Sequence, residues 1–334
     1  GRECSNALTE LFLDALADTR LPQPTPILRV NADTPRELIV RAVNVLLRHG
    51  GGLPAFFSDT AIIEALHKTG IPLEDAREYG IGGCSEAVVP GKSFSFTGGD
   101  CYFNFLKILE IMLHEGVNPR TGVRLFETKT LEEYTSMEDL LEEFHHQLSL
   151  YMRYIVELTA ITSSADADLN PTPFTSGLLD YRVEMGQDMS RGGGPSARYS
   201  HTILQGHGTG DTCNALYALQ KLVFDQHWSG EEGETLHTMV RRLPKYGNDV
   251  DEVDCYAARL ADMFADEAQQ YTPWRGGVFG TSLQGLTANV PEGETVGATP
   301  DGRRAGEALS DNISPHAGTD VHGPTATLKS VSKV

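Results

Sequence analysis

Cysteine is scarce in this 334-residue sequence, and the few cysteines are scattered. A zinc site or a disulfide scaffold needs closely spaced or paired cysteines, and no two of these stand in a CxxC pair. Their number is also odd, which disfavours complete pairing. This usage is typical of a reducing cytoplasm, and we expect the protein there. The five residues are Cys4, Cys84, Cys101, Cys213 and Cys255.

Basic residues are outnumbered, and no long apolar run is present. The chain has 27 Lys and Arg against 46 Asp and Glu, a formal net charge of −19. Such a surface repels nucleic acids and anionic membranes. No segment reaches the roughly 18 apolar residues of a membrane-spanning helix. We therefore expect neither a nucleic-acid nor a membrane partner. Hydrophobic residues make up 40% of the chain, which is enough for a large core, and we treat residues 1–334 as one domain.

Helical periodicity alternates with short apolar stretches, which predicts an α/β protein. The clearest helix covers 137–160, with a capping box from Ser136 to Asp139 at its start. Ser163 to Pro173 is polar and contains proline, which favours a long loop. Further helices are predicted at 35–48, 59–69, 101–115, 211–225, 233–243 and 251–269. Strands are predicted at 27–30, 55–57, 79–82, 277–280 and 283–289.

Three polar motifs have simple structural interpretations. Gly206 to Asp211 superficially resembles a phosphate loop but fits no established spacing, so Thr209 or Asp211 is predicted to cap a helix. Thr299 to Arg304 contains Pro-Asp-Gly and predicts a surface turn with two solvated arginines. His145 and His146 are adjacent on a helix, which favours solvated side chains over metal ligands.

Cys84 stands in the loop Gly82-Gly83-Cys84-Ser85-Glu86. A lone cysteine is usually a small buried hydrophobic residue. Here two glycines let the backbone turn tightly, and Glu86 lies two positions away, so one loop directs a thiol and a carboxylate at a small ligand. The pair suits a thiolate nucleophile or a thiyl radical with a general base. His67 and His114 are the nearest histidines in sequence, and neither lies in a recognisable activating motif.

A series of segments, taken in order, resembles the pyruvate formate-lyase-like family of glycyl radical enzymes along nearly the whole chain. Each segment is specific, and together their order makes coincidence very improbable. They include the cysteine loop and the Pro-Asp-Gly turn. They are 53–59 (LPAFFSD), 73–86 (LEDAREYGIGGCSE), 244–249 (PKYGND), 295–306 (TVGATPDGRRAG), 310–315 (SDNISP) and 323–333 (GPTATLKSVSK).

The resemblance implies part of a ten-stranded α/β barrel surrounded by helices, with the cysteine loop inside the barrel. It implies that Cys84 carries a thiyl radical that takes a hydrogen atom from a small-molecule substrate, with Glu86 as general base or acid. It also implies a radical-SAM activating enzyme and a homodimer for the full-length protein. No bound cofactor or metal is implied. The radical itself is expected on a glycine downstream of this chain, which is expected to be incomplete at both ends and inactive alone.

Two departures from the family pattern shape the expected reaction. Pyruvate formate-lyase has two adjacent cysteines, whereas Gly83 precedes Cys84 here, which disfavours formate acetyltransfer. Diol dehydratases carry a His-Asp pair 13 to 14 residues after the cysteine, where this chain has Thr97 and Gly98, which disfavours glycerol or propanediol as the substrate. The leading hypothesis is a dehydratase or another carbon–heteroatom lyase. The alternatives are an arylacetate-type decarboxylase, a formate C-acetyltransferase-like enzyme, an inactive paralogue and, more distantly, a thiolate enzyme.

Overall fold

The structure is a computed structural model that describes residues 6–83, 85–94, 101–225, 236–285 and 287–334. Its helices and strands alternate along the chain, as predicted. The strands are β1 (Ile27–Val30), β2 (Ala55–Ser58), β3 (Gly80–Gly82), β4 (Glu86–Val88), β5 (Cys101–Asn104), β6 (Thr202–His207) and β7 (Phe279–Ser282). The helices are α1 (Ala7–Thr19), α2 (Arg36–His49), α3 (Asp59–Lys68), α4 (Leu73–Ala76), α5 (Phe105–Leu113), α6 (Met137–Leu169), α7 (Pro173–Gly177), α8 (Arg182–Met185), α9 (Thr209–Leu219), α10 (Leu236–Arg242), α11 (Asp251–Ala268), α12 (Asn289–Gly293) and α13 (Pro324–Val331).

The chain divides into two compact units, which are described separately. Unit 1 comprises the described parts of Gly1–Gly98, Asn170–His201 and Arg275–Gly277, and unit 2 comprises those of Gly99–Leu169, Thr202–Trp274 and Val278–Val334. The interpretation of 1–334 as one partial barrel domain remains a prediction. In the described parts of the chain, no helix is long and apolar enough to cross a membrane.

Unit 1 contains two small sheets. β1 and β2 pair in parallel, connected through α2, and β3 and β4 pair antiparallel. A side-chain cluster between α1, α2 and the β1–β2 pair forms one apolar core, because these helices are amphipathic and turn one face inward. Its buried members are Leu13, Leu16, Leu28, Leu38, Ala42, Val45 and Leu53.

Unit 2 is built on a parallel three-stranded sheet in the order β5-β6-β7. Helices α5 and α11 pack against the sheet, and both also pack against α6 and α9. Phe264 lies at the centre, with ring centroids 5.0 Å from Phe103 and 5.1 Å from Phe105. Gly206 on β6 must be glycine, because a Cβ there would lie 2.2 Å from the Phe105 ring. Strand β6 and helix α5 can therefore pack this closely only because position 206 has no side chain.

Several boundaries differ from those that the sequence predicts. The long loop predicted from Ser163 to Pro173 is wrong, because α6 continues to Leu169. Its beginning is confirmed, since the Ser136 hydroxyl accepts from the Asp139 N–H at 3.1 Å. The helix predicted at 101–115 starts with strand β5 instead. The strand predicted at 277–280 is shifted to Phe279–Ser282.

Two further predictions fail for local reasons. The described residues of 283–289 contain no strand, and α12 begins at Asn289. The helix predicted from Asp211 begins earlier, at Thr209, with Gly208 as its N-cap in a left-handed conformation and without a side-chain cap. The capping role of Thr209 or Asp211 is therefore wrong. Residues 233–235, the start of another predicted helix, lie outside the described residues.

The α/β class is confirmed, and the described strands form separate two- and three-stranded sheets. A closed ten-stranded barrel is not seen among the described residues. It remains a proposal for the complete protein.

Candidate active site

The segment that carries Cys84 is the tip of a β-hairpin in unit 1. β3 and β4 pair with Gly82 opposite Glu86, which leaves three residues between the strands. Hairpin loops of this length require a residue at positive φ, and Gly83 has a φ of 57°. The predicted tight turn is therefore confirmed at Gly83. Cys84 itself lies outside the described residues.

The carboxylate of Glu86 folds back over this hairpin tip. Its Oε2 accepts a hydrogen bond from the Ser85 N–H at 2.9 Å. A Cβ at Gly83 would lie only 2.4 Å from the same oxygen, so glycine leaves the space that the carboxylate fills. The half-buried carboxylate therefore lies against the backbone of the hairpin tip.

A partly buried polar cluster supports the end of β4. Lys92 lies 2.5 Å from Asp75, and the hydroxyl of Tyr199 donates to the other oxygen of that carboxylate. The hydrogen bond from Lys92, with that from Tyr199, holds the pKa of Asp75 below its usual value. Burial, together with the bond to Asp75, raises the pKa of Tyr199 to about 12. Tyr199 also packs with Val89 in a small apolar cluster, so the hairpin is held by charge and packing together.

A second cluster fixes the entry to β3. The Arg29 guanidinium lies 3.9 Å from the ring centre of Tyr79 and donates to the Tyr79 carbonyl at 2.8 Å. Asp59 accepts from Arg29 Nε at 2.7 Å and from the Tyr79 hydroxyl at 2.9 Å. Burial alone would raise the pKa of Asp59, but these hydrogen bonds outweigh it and the pKa is lowered. The residue just before β3 is thereby anchored to β1 and to the start of α3.

Arg182 to Gly186 resembles the sequence of a radical glycine motif only superficially. The segment forms the short helix α8, which ends at Gly186 with a φ of 57°. The buried Arg182 guanidinium donates to the carbonyls of Gly192 at 3.0 Å and Gly193 at 2.7 Å. Its role is to satisfy the backbone of a glycine-rich loop.

In unit 2 the Pro-Asp-Gly turn forms, but one of its arginines is not solvated. The Gly302 N–H closes the turn on the Thr299 carbonyl at 3.0 Å. Arg303 is only 4% exposed and donates to the carbonyls of Gly297 at 2.9 Å and Gly293 at 3.0 Å. The predicted solvation is thus wrong for Arg303 and confirmed for Arg304, which is exposed. Arg303 secures the backbone around the turn.

Asp211 connects α9 to the segment at 310–315. It is fully buried, and its Oδ2 accepts from the Ser310 N–H at 2.6 Å. Its other oxygen lies 2.8 Å from His316 Nδ1. The neighbouring carboxylate of Asp211 raises the pKa of His316. Asp211, misread from sequence as a cap, is a long-range tie instead.

Three carboxylates near the start of α11 lie close enough together to hold a cation. The ammonium of Lys333 takes that position, at 2.9 Å from Asp249, 2.6 Å from Asp251 and 2.8 Å from Asp254. Hydrogen bonds to these carboxylates raise the pKa of Lys333. The cluster therefore fastens the end of the chain to α11.

Sequence reasoning missed β6 and the two buried polar side chains on it. Gln205 is 0% exposed and His207 2%. The β-branched and aliphatic run from Thr202 to Leu204 could have predicted a strand. The glycines that follow, Gly206, Gly208 and Gly210, favoured a loop instead. Thr97 and Gly98, which stand where the diol dehydratases have their His-Asp pair, lie outside the described residues.

Known proteins resemble this chain along its whole length. A family model described as "Pyruvate formate lyase-like" matches residues 1–293. The chain belongs to the pyruvate formate lyase-like family. It is 32% identical to a trans-4-hydroxy-L-proline dehydratase of Clostridioides difficile, over 100% of this chain and 43% of that protein. It is 30% identical to a (2S)-3-sulfopropanediol dehydratase of Klebsiella oxytoca, over 100% of this chain and 42% of that protein.

A solved structure agrees with the sequence relatives. The glycerol-bound form of the B12-independent glycerol dehydratase of Clostridium butyricum is similar with a TM-score of 0.90 and 33% identity, over 100% of this chain and 43% of that chain. The family predicted from the motifs is therefore confirmed, in its dehydratase and lyase branch. The chain spans less than half the length of these relatives.

Proposed function

We propose that the complete protein is a glycyl radical lyase, and more specifically a dehydratase. Its active-site thiol would be Cys84. The observation that carries the proposal is the hairpin tip, where Glu86 turns its carboxylate over the loop of Cys84 and Gly83 leaves room for it. The relation to dehydratases supports the reaction class. The proposed chemistry needs one carboxylate next to the loop that carries the thiol, and Glu86 would supply it.

The chemistry divides between the two side chains. The protein radical, on a glycine of the complete protein, supplies the one-electron oxidant that removes hydrogen from the Cys84 thiol. The Cys84 thiyl then takes a hydrogen atom from a substrate carbon, so that an S–H bond forms as a C–H bond breaks. The leaving group departs from the neighbouring carbon with its bonding electron pair, and Glu86 takes the proton that the substrate radical releases and gives it to the leaving group, so that charge balances. The Cys84 thiol returns a hydrogen atom to the product radical.

The family resemblance implies the setting. Cys84 would lie inside a ten-stranded barrel, which would keep the carbon radical from water. A radical-SAM enzyme would install the radical, and the complete protein would act as a cytoplasmic homodimer on a small molecule. No metal or further bound cofactor is required by this scheme.

The experiment is an anaerobic assay of the complete protein after activation, with hydroxyl-, sulfonate- and arylacetate-bearing substrates. We expect loss of water or another leaving group from one of them, detected by mass spectrometry. Glu86→Gln should keep the radical signal in electron paramagnetic resonance and lose roughly a hundredfold or more of turnover. Carbon dioxide from an arylacetate would support the decarboxylase instead, acetyl transfer to formate an acetyltransferase, and no radical in any preparation an inactive paralogue.

A further inference from the structure

Unit 2 contains a pocket of about 450 Å³ with a basic lining, between the segments 241–250, 301–307 and 316–322. This volume lies within the range of small-molecule sites, roughly 300–1,000 Å³. Four lysine and arginine residues and two histidines line the pocket, against two carboxylates, although acidic residues outnumber basic ones by 46 to 27 in the chain. The basic lining residues are Arg241, Arg242, Lys245, Arg303, His316 and His322.

Three of these cations form no ion pair with a carboxylate in the part of the chain that the structure describes. Lys245 donates to two backbone carbonyls, at 2.7 and 3.2 Å, and the buried Arg303 also donates to backbone carbonyls. Arg241 is exposed and has neither a hydrogen bond nor an ion pair with a described residue. Carbonyl groups carry no net charge, so three positive charges remain without a neutralising anion.

The two carboxylates that line the pocket are engaged by other groups. Asp301 accepts from the Thr299 hydroxyl at 2.6 Å, and burial raises the pKa of Asp301, which favours its uncharged form. Glu307 accepts from the Arg304 N–H at 3.0 Å. The lining therefore has an excess of positive charge, and a cleft lined by one sign of charge attracts ions of the opposite sign.

A buried asparagine holds the walls of the pocket together. The side-chain amide of Asn248 donates to the carbonyls of Lys245 at 3.0 Å and Thr319 at 2.8 Å. Its oxygen accepts from the His322 N–H at 3.0 Å. One side chain thus connects the 241–250 wall to the 316–322 wall. A pocket with walls fixed in this way loses little entropy when a ligand binds.

Arg241 lies over the Pro-Asp-Gly turn because position 302 is glycine. Gly302 has a φ of 93°, and a Cβ there would lie 2.9 Å from Arg241 Cγ. The stem of Arg241 therefore packs on the turn. The guanidinium of arginine has a planar set of donors that matches two oxygens of a phosphate group.

Apolar residues complete the pocket. Leu243, Val250 and Val321 belong to its lining, so the cavity offers both charge for an anion and apolar surface for an organic group. A phosphate ester combines these two properties, whereas inorganic phosphate has only the first.

We propose that this pocket binds a small phosphate ester. Arg241 binds the phosphate oxygens, and the charges of Lys245 and Arg303 add to the positive field of the pocket. The proposal goes beyond the proposed function and does not depend on it, since neither Cys84 nor Glu86 takes part in this binding.

The test is isothermal titration calorimetry of the complete, unactivated protein at about 0.1 M ionic strength. The probes are phenyl phosphate, inorganic phosphate and the uncharged benzyl alcohol. We expect phenyl phosphate to bind at one site per chain, inorganic phosphate to bind more weakly, and benzyl alcohol not to bind. Arg241→Met keeps an unbranched stem over Gly302 and removes the guanidinium, and it should raise the Kd of phenyl phosphate roughly tenfold or more.

Arg153→Met is the matched control, because Arg153 is an exposed arginine on α6 that does not line the pocket. It makes the same change in net charge, and distant charges are screened at this ionic strength, so its Kd should stay within about twofold of the wild type. The proposal is overturned if phenyl phosphate does not bind, if benzyl alcohol binds as tightly, or if Arg241→Met and Arg153→Met behave alike. Inorganic phosphate that binds as tightly as phenyl phosphate would overturn the ester as the ligand class.

Discussion

Gly83 and Glu86 act together at the tip of the β3–β4 hairpin. The glycine supplies the positive φ of the turn and the open space, and the carboxylate occupies that space while it accepts from the Ser85 N–H. A side chain at position 83 would therefore have two effects. It would strain the backbone, and it would displace the carboxylate from its position beside the loop.

Gly83→Ala tests this pairing, with Gly91→Ala as its control. Gly91 also has positive φ, at 74°, but a Cβ there meets nothing within 4 Å. Both variants should lose about 1–2 kcal/mol of unfolding free energy from backbone strain, measured by urea denaturation. Only Gly83→Ala should also lose roughly tenfold or more of turnover, because Glu86 must move. Equal turnover in the two variants would contradict the role of the glycine.

The residues singled out in the two units differ in how far sequence predicts them. Cys84 and Glu86 lie within one loop, so a short motif was enough to select them. Gln205 and His207 are buried polar residues, and their burial depends on the folded sheet and cannot be predicted from a motif. Arg303 was misread as solvated because its partners, the carbonyls of Gly293 and Gly297, are backbone groups that leave no trace in a motif.

Among the elements, the hairpin is short, and neighbouring elements hold it. Strand pairs of three residues are marginal alone. The Asp75, Lys92 and Tyr199 cluster holds the end of β4, and the Arg29, Asp59 and Tyr79 cluster holds the start of β3. The loop is thus positioned by buried and partly buried hydrogen bonds from distant parts of the chain.

Helix α6 shows why element boundaries were harder to predict than element types. Its first part has strong apolar periodicity, but 163–169 is rich in serine, aspartate and alanine, and prolines follow at Pro171 and Pro173. Polar composition favoured a loop. The helix continues because alanine has the highest helix propensity and nothing in the segment breaks the backbone hydrogen bonds before the prolines.

Ala165→Pro distinguishes the helix from the predicted loop. Ala165 is exposed and lies inside α6, so proline should cost about 3 kcal/mol of unfolding free energy through a lost hydrogen bond and a clash. Ala165→Gly should cost about 1 kcal/mol. Urea denaturation followed by circular dichroism measures both. Unchanged stability of the proline variant would show that the segment is a loop.

At the scale of the whole molecule, the sequence motifs predicted the family and the α/β class, and both are confirmed. The motifs succeed because segments such as 244–249 and 310–315 make specific long-range contacts, including those of Asn214 with Tyr246 and Asp211 with Ser310. Barrel closure and the substrate depend on the arrangement of the complete protein. The match to the trans-4-hydroxy-L-proline dehydratase covers only 43% of that protein.

Turnover by the activated complete protein with Cys84→Ser tests the central claim most directly. Electron paramagnetic resonance should show the same protein radical in wild type and variant, because the radical resides on another residue. Product formation should fall by roughly a thousandfold or more, since a serine O–H bond is too strong to replace the thiol. Cys255→Ser, a change at an exposed cysteine, should keep the wild-type rate. A Cys84→Ser variant that holds the radical and turns over substrate at the wild-type rate would contradict the account.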